Sequence, residues 1–182
     1  MSTSPQALRA RNLRTVAALA ALFLAPLALS FWMYYGKGWH PAGRTNHGEL
    51  FEPARPLPDA AQFGGKWSLV YIAAGSCDAD CRNALYVMRQ THLSLNQQMS
   101  RVSRVFLATD PCCDREFLQR EHPGLTIVPT AADPQGFPAH DRATSLFIVD
   151  PLGNLVMRYD VRGNPKGLLE DLKKLLQLSH IG

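Results

Sequence analysis

The stretch Trp67–Met88, WSLVYIAAGSCDADCRNALYVM, decides the fold of this 182-residue chain. Its run Leu69–Ala74 is uninterrupted and apolar, which predicts a strand buried on both faces. A glycine and a serine then predict a turn, and apolar residues at helical spacing follow to the end of the stretch. Cys77 and Cys81 therefore lie where a buried strand ends and a helix begins.

This position favours reactive thiols, because the N-terminus of a helix carries partial positive charge that stabilises a thiolate. At i, i+4 spacing, Cys77 and Cys81 share one helix face, with Cα atoms roughly 6 Å apart, close enough for a disulfide. Two thiolates at that separation can also bind one Cu(I) ion. The pattern thus predicts a redox pair, with Cys77 as nucleophile, or a copper site. A purely structural disulfide or two buried thiols are the alternatives. Asp78 and Asp80 oppose thiolate formation.

An uncharged apolar run of 20 residues, 16–35, precedes this region and is long enough to cross a membrane as a helix. Three arginines come before it with no acid among them: Arg9, Arg11 and Arg14. They predict that residues 1–15 are cytoplasmic and that the rest is periplasmic, anchored in the cell inner membrane. The alternative is a cleaved signal peptide, with a cleavage site at 28–30.

The net charge of +4 is mainly a signal of membrane topology. Of the 19 basic residues, three precede the apolar run, which leaves 16 against all 15 acidic residues in the remainder. No basic stripe interleaved with aromatic residues occurs, so the sequence gives no support for nucleic-acid binding.

Residues 36–65 are rich in proline, glycine and polar residues, which predicts an extended linker. His40 and His47 lie within it and are interpreted as solvated side chains rather than metal ligands. The remainder, 66–182, is predicted to form one domain. Strands are predicted at 67–73, 102–108, 125–128, 145–149 and 154–159, and helices at 80–100, 114–121 and 167–178. This order, closed by a hairpin and a helix, predicts an α/β thioredoxin-like fold with a central mixed sheet flanked by helices.

Several motifs resemble those of the Sco/SenC cytochrome oxidase assembly proteins. The run VYIAAGSCDADC is similar to the family's strand and CxxxC motif, and ATDPCCD (108–114) is similar to its S-x-D-P-x-x-D element. HPGL (122–125) and LFIVDPLGNL (146–155) resemble its H-P-x-L element and its hairpin. The resemblance implies a membrane-anchored copper protein that helps to mature cytochrome c oxidase. Its partner would be an oxidase subunit or another copper protein with cysteine ligands.

The resemblance also implies a histidine as third Cu(I) ligand, and its position falls on Arg142. The nearest histidine is His140, so Cys77, Cys81 and His140 are the expected metal ligands. If Arg142 faces the cysteines instead, it would favour thiolates without binding metal, and thiol chemistry would be preferred.

Cys112 and Cys113 follow the second predicted strand, at the sheet edge where the first cysteine pair also lies. They could be a resolving pair, a second soft-metal contact, a disulfide to each other, or thiols without a role.

Three functions therefore remain open from the sequence. The first is delivery of Cu(I) by a Sco-like protein. The second is a periplasmic thiol–disulfide reductase, the one enzyme among them. The third is a non-catalytic assembly factor with a degenerate metal site.

Overall fold

The structure of the protein is a computed structural model that describes residues 5–36, 45–74, 76–110, 115–131 and 133–179. The chain divides into two compact units, Met1–Arg44 and Thr45–Gly182.

The first unit contains the helix α1, Pro5–Tyr35, with Pro26 in its interior. Within it, Asn12–Tyr35 has a mean hydropathy of 2.1 over its most apolar window, and none of that window is buried in protein. Side chains such as Phe23, which is 71% exposed, would be strongly unfavourable in water. The length and composition of the helix suit the hydrocarbon core of a membrane. The helix therefore fits the predicted membrane anchor.

The second unit is a sheet with helices packed against it. Its strands are β1 (Glu49–Pro56), β2 (Trp67–Ala73), β3 (Val102–Ala108), β4 (Leu125–Pro129), β5 (Ser145–Val149) and β6 (Asn154–Asp160). Its helices are α2 (Ala79–Leu93), α3 (Arg115–Glu121) and α4 (Pro165–Leu178). Among the described residues the strand order is β1-β6-β5-β2-β3-β4. The pairs β2–β3 and β3–β4 are parallel, and the other pairs are antiparallel. The predicted mixed sheet flanked by helices is confirmed.

Strand β2 is central and is covered on both faces, which explains its uninterrupted apolar sequence. Leu69 and Tyr71 pack into the core cluster that includes α2 and α4. Val70 and Ile72 point the other way and pack into a second cluster. The second cluster is completed by side chains from β1 and from loops: Phe51, Leu57, Phe63 and Phe137. Because both faces are buried, the strand is fixed in register and its end holds the following turn in place.

The predicted linker at 36–65 is too long. Residues 49–56 form β1, an antiparallel edge strand beside β6, and Ala60–Phe63 forms a short 3-10 helix. Phe63 is buried in the second core cluster. The prolines of this segment indicated a linker, but an edge strand tolerates proline because one row of its N–H groups needs no partner.

The first predicted helix of the domain is also too long. It ends at Leu93, and a separate 3-10 helix follows at Asn96–Arg101. Asn96 has a φ of 51°, a left-handed conformation that the regular helix cannot contain. The next helix begins at Arg115, and Asp114, the first residue of the predicted helix, lies outside the described residues.

Two histidines of the domain are partly or fully removed from water. Burial lowers the pKa of His92, whose Nε2 contacts the Val102 carbonyl oxygen at 2.9 Å. Burial also lowers the pKa of His122, and the charges of Arg104 and Arg89 lower it further. In the unfolded chain both would titrate near their ordinary pKa of about 6.5.

The free energy of unfolding is therefore expected to fall as the pH decreases below about 6.5. In that range the histidines of the unfolded chain bind protons that those of the folded protein do not. Their contribution to the free energy of unfolding is therefore complete above their pKa in the unfolded chain, and it is lost as the pH falls towards their pKa in the folded protein. Urea unfolding of the full-length protein at several pH values measures the slope. His122→Gln is expected to make the slope shallower, whereas His140→Gln, at an exposed side chain, is expected to leave it unchanged. Equal slopes for His122→Gln and the unmodified protein would contradict this account.

Candidate functional site

The site begins where β2 ends and α2 starts. Asp78 is the N-cap of α2, and its carboxylate accepts a hydrogen bond of 3.0 Å from the backbone N–H of Cys81. This fixes Cys81 in the first turn of the helix, where its side chain is buried, 1% exposed. Cys77 precedes the helix and is half-buried. Its φ of 36° lies in the left-handed region, which residues other than glycine rarely adopt. Such conformations concentrate at functional sites.

Cys77 and Cys81 are joined in a disulfide, with their Cα atoms 5.0 Å apart. The structure therefore describes the oxidised state of the pair. Cys77 is the more exposed partner and Cys81 the buried one. Thiol exchange needs this asymmetry, because the sulfur of a partner must reach one cysteine while the other cysteine stays buried beside it.

The two acids beside the cysteines are both engaged. Asp78 serves as the helix cap. Asp80 forms an ion pair of 2.7 Å with Arg162 from the loop between β6 and α4. The hydrogen bond to Asp80 and its charge raise the pKa of Arg162. Arg162 offsets part of the negative charge that opposes a thiolate. Sequence pattern gives no sign of this ion pair, because Arg162 lies 82 positions from Asp80.

A cleft of about 330 Å³ lies beside the disulfide. Its lining includes Cys81, Tyr71 at the end of β2, and Thr109 after β3. The hydroxyl of Tyr71 donates a hydrogen bond of 2.8 Å to the Ala143 carbonyl oxygen, which joins the facing loop to the central strand. Burial and then the charges of nearby acids raise the pKa of Tyr71, so the phenol stays protonated and remains a donor.

Arg142 also lines this cleft. Its Nε donates to the Pro138 carbonyl oxygen at 2.6 Å, and its Nη2 donates to the Phe137 carbonyl oxygen at 2.7 Å. Its Nη1 pairs with the Asp133 carboxylate at 2.6 Å. Arg142 therefore holds the loop that forms the wall opposite the cysteines, and it brings a guanidinium to that wall.

The structure does not bring the other candidate ligands together with the pair. His140 is exposed and is absent from the lining of the cleft. Within the described ranges, no group of three or more His, Cys, Asp or Glu side chains is arranged to hold a metal. Cys112 and Cys113 lie outside the described residues.

A larger cavity, of about 470 Å³, is lined by residues that include Arg158 and Glu49. Its two arginines are already paired, since Arg158 Nη2 lies 2.8 Å from the Glu49 carboxylate and Arg162 pairs with Asp80. Among the described residues, no cysteine lines it. The smaller cleft is therefore the candidate functional site, since it is lined by Cys81 of the disulfide together with Tyr71 and Arg142.

Comparison with solved structures supports this fold assignment. The structure is similar to that of copper-bound Sco1 from yeast, with a TM-score of 0.56 and 17% identity, covering 74% of this chain and 95% of that one. Copper-bound ScoI from Arabidopsis thaliana gives a TM-score of 0.53 and 17% identity, covering 72% and 99%. Identities this low show a shared fold, and at that level the resemblance to the Sco proteins is confirmed.

No curated protein sequence matches the chain. The family described as transmembrane-like, thioredoxin-like, C-terminal domain matches residues 67–179, which include the cysteine pair, the cleft and the final helix. Since this match covers more than half of the sequence, the chain belongs to the transmembrane-like, thioredoxin-like C-terminal domain family.

Proposed function

We propose that this chain is a membrane-anchored protein that binds Cu(I) as cargo through the reduced Cys77–Cys81 pair and delivers it to the copper site of cytochrome c oxidase. The observation that carries the proposal is the cysteine pair itself, at a strand–helix junction beside an open cleft. Two proteins of the same fold are described with copper bound, and the sequence motifs resemble those of the Sco family.

The donor chemistry suits this cargo. Reduction of the disulfide by two electrons and two protons gives two thiols one helical turn apart, and loss of their protons leaves two thiolates. Thiolates are the soft ligands that Cu(I) prefers, and Cu(I) accepts low coordination numbers. His140 would serve as a third ligand only after the loop from Pro138 to Arg142 moves, because the hydrogen bonds of Arg142 now hold that loop.

The partner in this proposal is an oxidase subunit or another protein whose copper ligands are cysteines. Residues 1–15 would lie in the cytoplasm, 16–35 would span the inner membrane, and the thioredoxin-like domain would face the periplasm. The arginines before the apolar run support this orientation.

Anaerobic Cu(I) titration of the full-length protein in detergent, against a chromophoric Cu(I) chelator, tests the proposal. The reduced protein is expected to take up one equivalent per chain. The same protein with its disulfide closed is the matched control and is expected to take up none at these cysteines. Equal uptake by the reduced and oxidised forms, or no uptake by the reduced form, would refute the copper proposal.

A thiol–disulfide reductase is the second candidate function, and Arg142 is the observation that favours it. Arg142 lines the cleft beside Cys81. A guanidinium cannot bind a metal, whereas a cation near a cysteine favours its thiolate. In this reaction the Cys77 thiolate attacks a partner disulfide and forms a mixed disulfide, releasing one partner thiolate. Cys81 then attacks the Cys77 sulfur, which closes the intramolecular disulfide and releases the second partner thiolate.

Cys81→Ser is expected to trap this mixed disulfide, because the second attack is removed. Cys77→Ser is the matched control and is expected to trap none at this pair, since Cys81, the cysteine of the pair that remains, is buried. In the reduced protein, an alkylating probe is expected to react with Cys77 faster than with Cys112 or Cys113. A Cys77 that reacts no faster than either would exclude the reductase.

Arg142→His is expected to raise the affinity for Cu(I) by about tenfold or more, equivalent to about 1.4 kcal/mol. Position 142 lines the cleft beside Cys81, and imidazole is a good ligand for copper. Arg142→Gln is the matched control, because it also breaks the pairing with Asp133 but supplies no imidazole. If the affinity for Cu(I) rises equally in both variants, the increase comes from release of the loop and not from a new ligand.

A further inference from the structure

Arg104 is a buried cation on β3. It is 6% exposed and lies on the strand face that packs towards α2. Its Nη2 donates a hydrogen bond to the Pro123 carbonyl oxygen in the turn between α3 and β4. Its Nε is buried and has no hydrogen-bond partner among the described residues. A buried donor without a partner is rare in folded proteins and calls for a ligand or a water molecule.

His122 lies at the start of the same turn. Arg104 pairs in register with Leu125, whose backbone N–H donates to the His122 carbonyl oxygen at 3.0 Å. The histidine is 9% exposed, and its Nδ1 is also buried and without a partner in the part of the chain that the structure describes. Two unpartnered side-chain nitrogens therefore lie on either side of the turn that begins β4.

The charge around this turn is unbalanced. Arg89 on α2 is close enough to lower the pKa of both Arg104 and His122, and Arg104 in turn lowers the pKa of His92. Among the described residues, the acid that acts on His122 is Glu121. The Glu121 side chain is 51% exposed, and its carboxylate lies 3.9 Å from Arg120. A guanidinium stays charged at all ordinary pH values, so Arg104 is a buried charge that no nearby carboxylate compensates.

We propose that Arg104, Arg89 and His122 form a binding site for one small inorganic anion, of the class of chloride, in the crevice between α2 and the α3–β4 turn. The anion accepts hydrogen bonds from Arg104 Nε and His122 Nδ1 and supplies the missing negative charge. The burial of both groups selects a small ion, because little space is left around side chains that are 6% and 9% exposed. Arg89 is only half-buried and marks the side from which the ion enters.

The site couples anion binding to protonation. His122 faces Arg104 from β3, Arg89 from α2 and Glu121 from the end of α3. A bound anion reduces the repulsion between protonated His122 and the two arginines, so chloride binds more tightly as the pH falls. By linkage, chloride also offsets part of the acid destabilisation expected for this histidine.

Thermal unfolding of the full-length protein in detergent, with sodium chloride or with sodium gluconate at equal ionic strength, tests the site. Chloride is expected to raise the Tm progressively with its concentration, more at about pH 6 than at about pH 8. Arg104→Met, which keeps an apolar stem without the charge, is expected to lose this dependence. Arg120→Gln removes one positive charge from α3 outside the crevice and is expected to retain it.

Two further variants keep the test decisive if Arg104→Met does not fold. Arg89→Gln and His122→Gln are each expected to weaken the chloride dependence and to reduce the excess chloride-35 NMR line broadening that the unmodified protein produces. A chloride dependence that is absent from the unmodified protein, or identical in all these variants, would overturn the proposal and leave water as the partner of both nitrogens.

Discussion

Replacing Cys77 and Cys81 together by serine is expected to abolish Cu(I) uptake and thiol–disulfide exchange at this site. Both chemistries need sulfur, since a serine hydroxyl neither ionises near neutral pH nor binds Cu(I) appreciably. The fold is expected to persist, because the sheet and its two core clusters are built from other side chains as well. Cu(I) titration and a thiol-exchange assay on the full-length protein measure the two losses separately.

A matched control is available within the same chain. Replacing Cys112 and Cys113 by serine removes the same number of thiols and is expected to leave one Cu(I) bound per chain. Binding that persists without Cys77 and Cys81 but disappears without the second pair would move the metal site to Cys112 and Cys113.

If a cysteine-less chain still supports oxidase assembly, the protein is a non-catalytic assembly factor.

Asp171→Ala is expected to lower the free energy of unfolding by about 3 kcal/mol, the largest effect on stability that we predict. Asp171 lies on α4 and is 4% exposed. Its Oδ2 accepts hydrogen bonds from the backbone N–H groups of His47, at 2.6 Å, and Gly48, at 3.2 Å. It also accepts one from the buried hydroxyl of Tyr159 on β6. Alanine would leave three donors without an acceptor, and the segment that leads into β1 would lose its buried attachment to α4.

Chemical denaturation of the full-length protein measures this effect, and two variants calibrate it. Tyr159→Phe removes one donor and leaves the carboxylate with two, so its effect is expected to be smaller. Burial and the hydrogen bond to Asp171 raise the pKa of Tyr159, which keeps this donor protonated. Glu170→Ala is the matched control, because its exposed carboxylate pairs with the His47 ring and exposed pairs contribute little. An Asp171→Ala variant as stable as Glu170→Ala would contradict the assigned role.

The central part of the fold could be predicted because local pattern and tertiary context agree there. The apolar run of β2 fits a strand covered on both faces, and the hairpin of β5 and β6 is marked by its turn residues. Strand β1 could not be found in the same way. Its sequence ELFEPARP contains two prolines and little alternation, and it becomes a strand only because β6 offers it an antiparallel edge.

The sequence predicts the two cysteines of the candidate site but not the groups that surround them. Cys77 and Cys81 are four positions apart, so local helix geometry alone brings them together. The groups that control their environment come from distant parts of the chain. Arg162 pairs with Asp80 from the loop before α4, and Tyr71 binds the Ala143 carbonyl oxygen, 72 positions further along the chain. Such contacts depend on strand order, which periodicity does not encode.

The sequence by itself determined that this chain has an apolar N-terminal helix, an α/β domain and a cysteine pair at a strand–helix junction. Each of these features depends on the pattern of residues that are neighbours in the chain. Only the tertiary structure decided what faces the pair. It put the Arg142 guanidinium in the wall of the cleft and left His140 in solvent. The physical reason is local to that loop, because the Asp133 carboxylate and two backbone carbonyl oxygens bind the arginine and fix the direction of its neighbours.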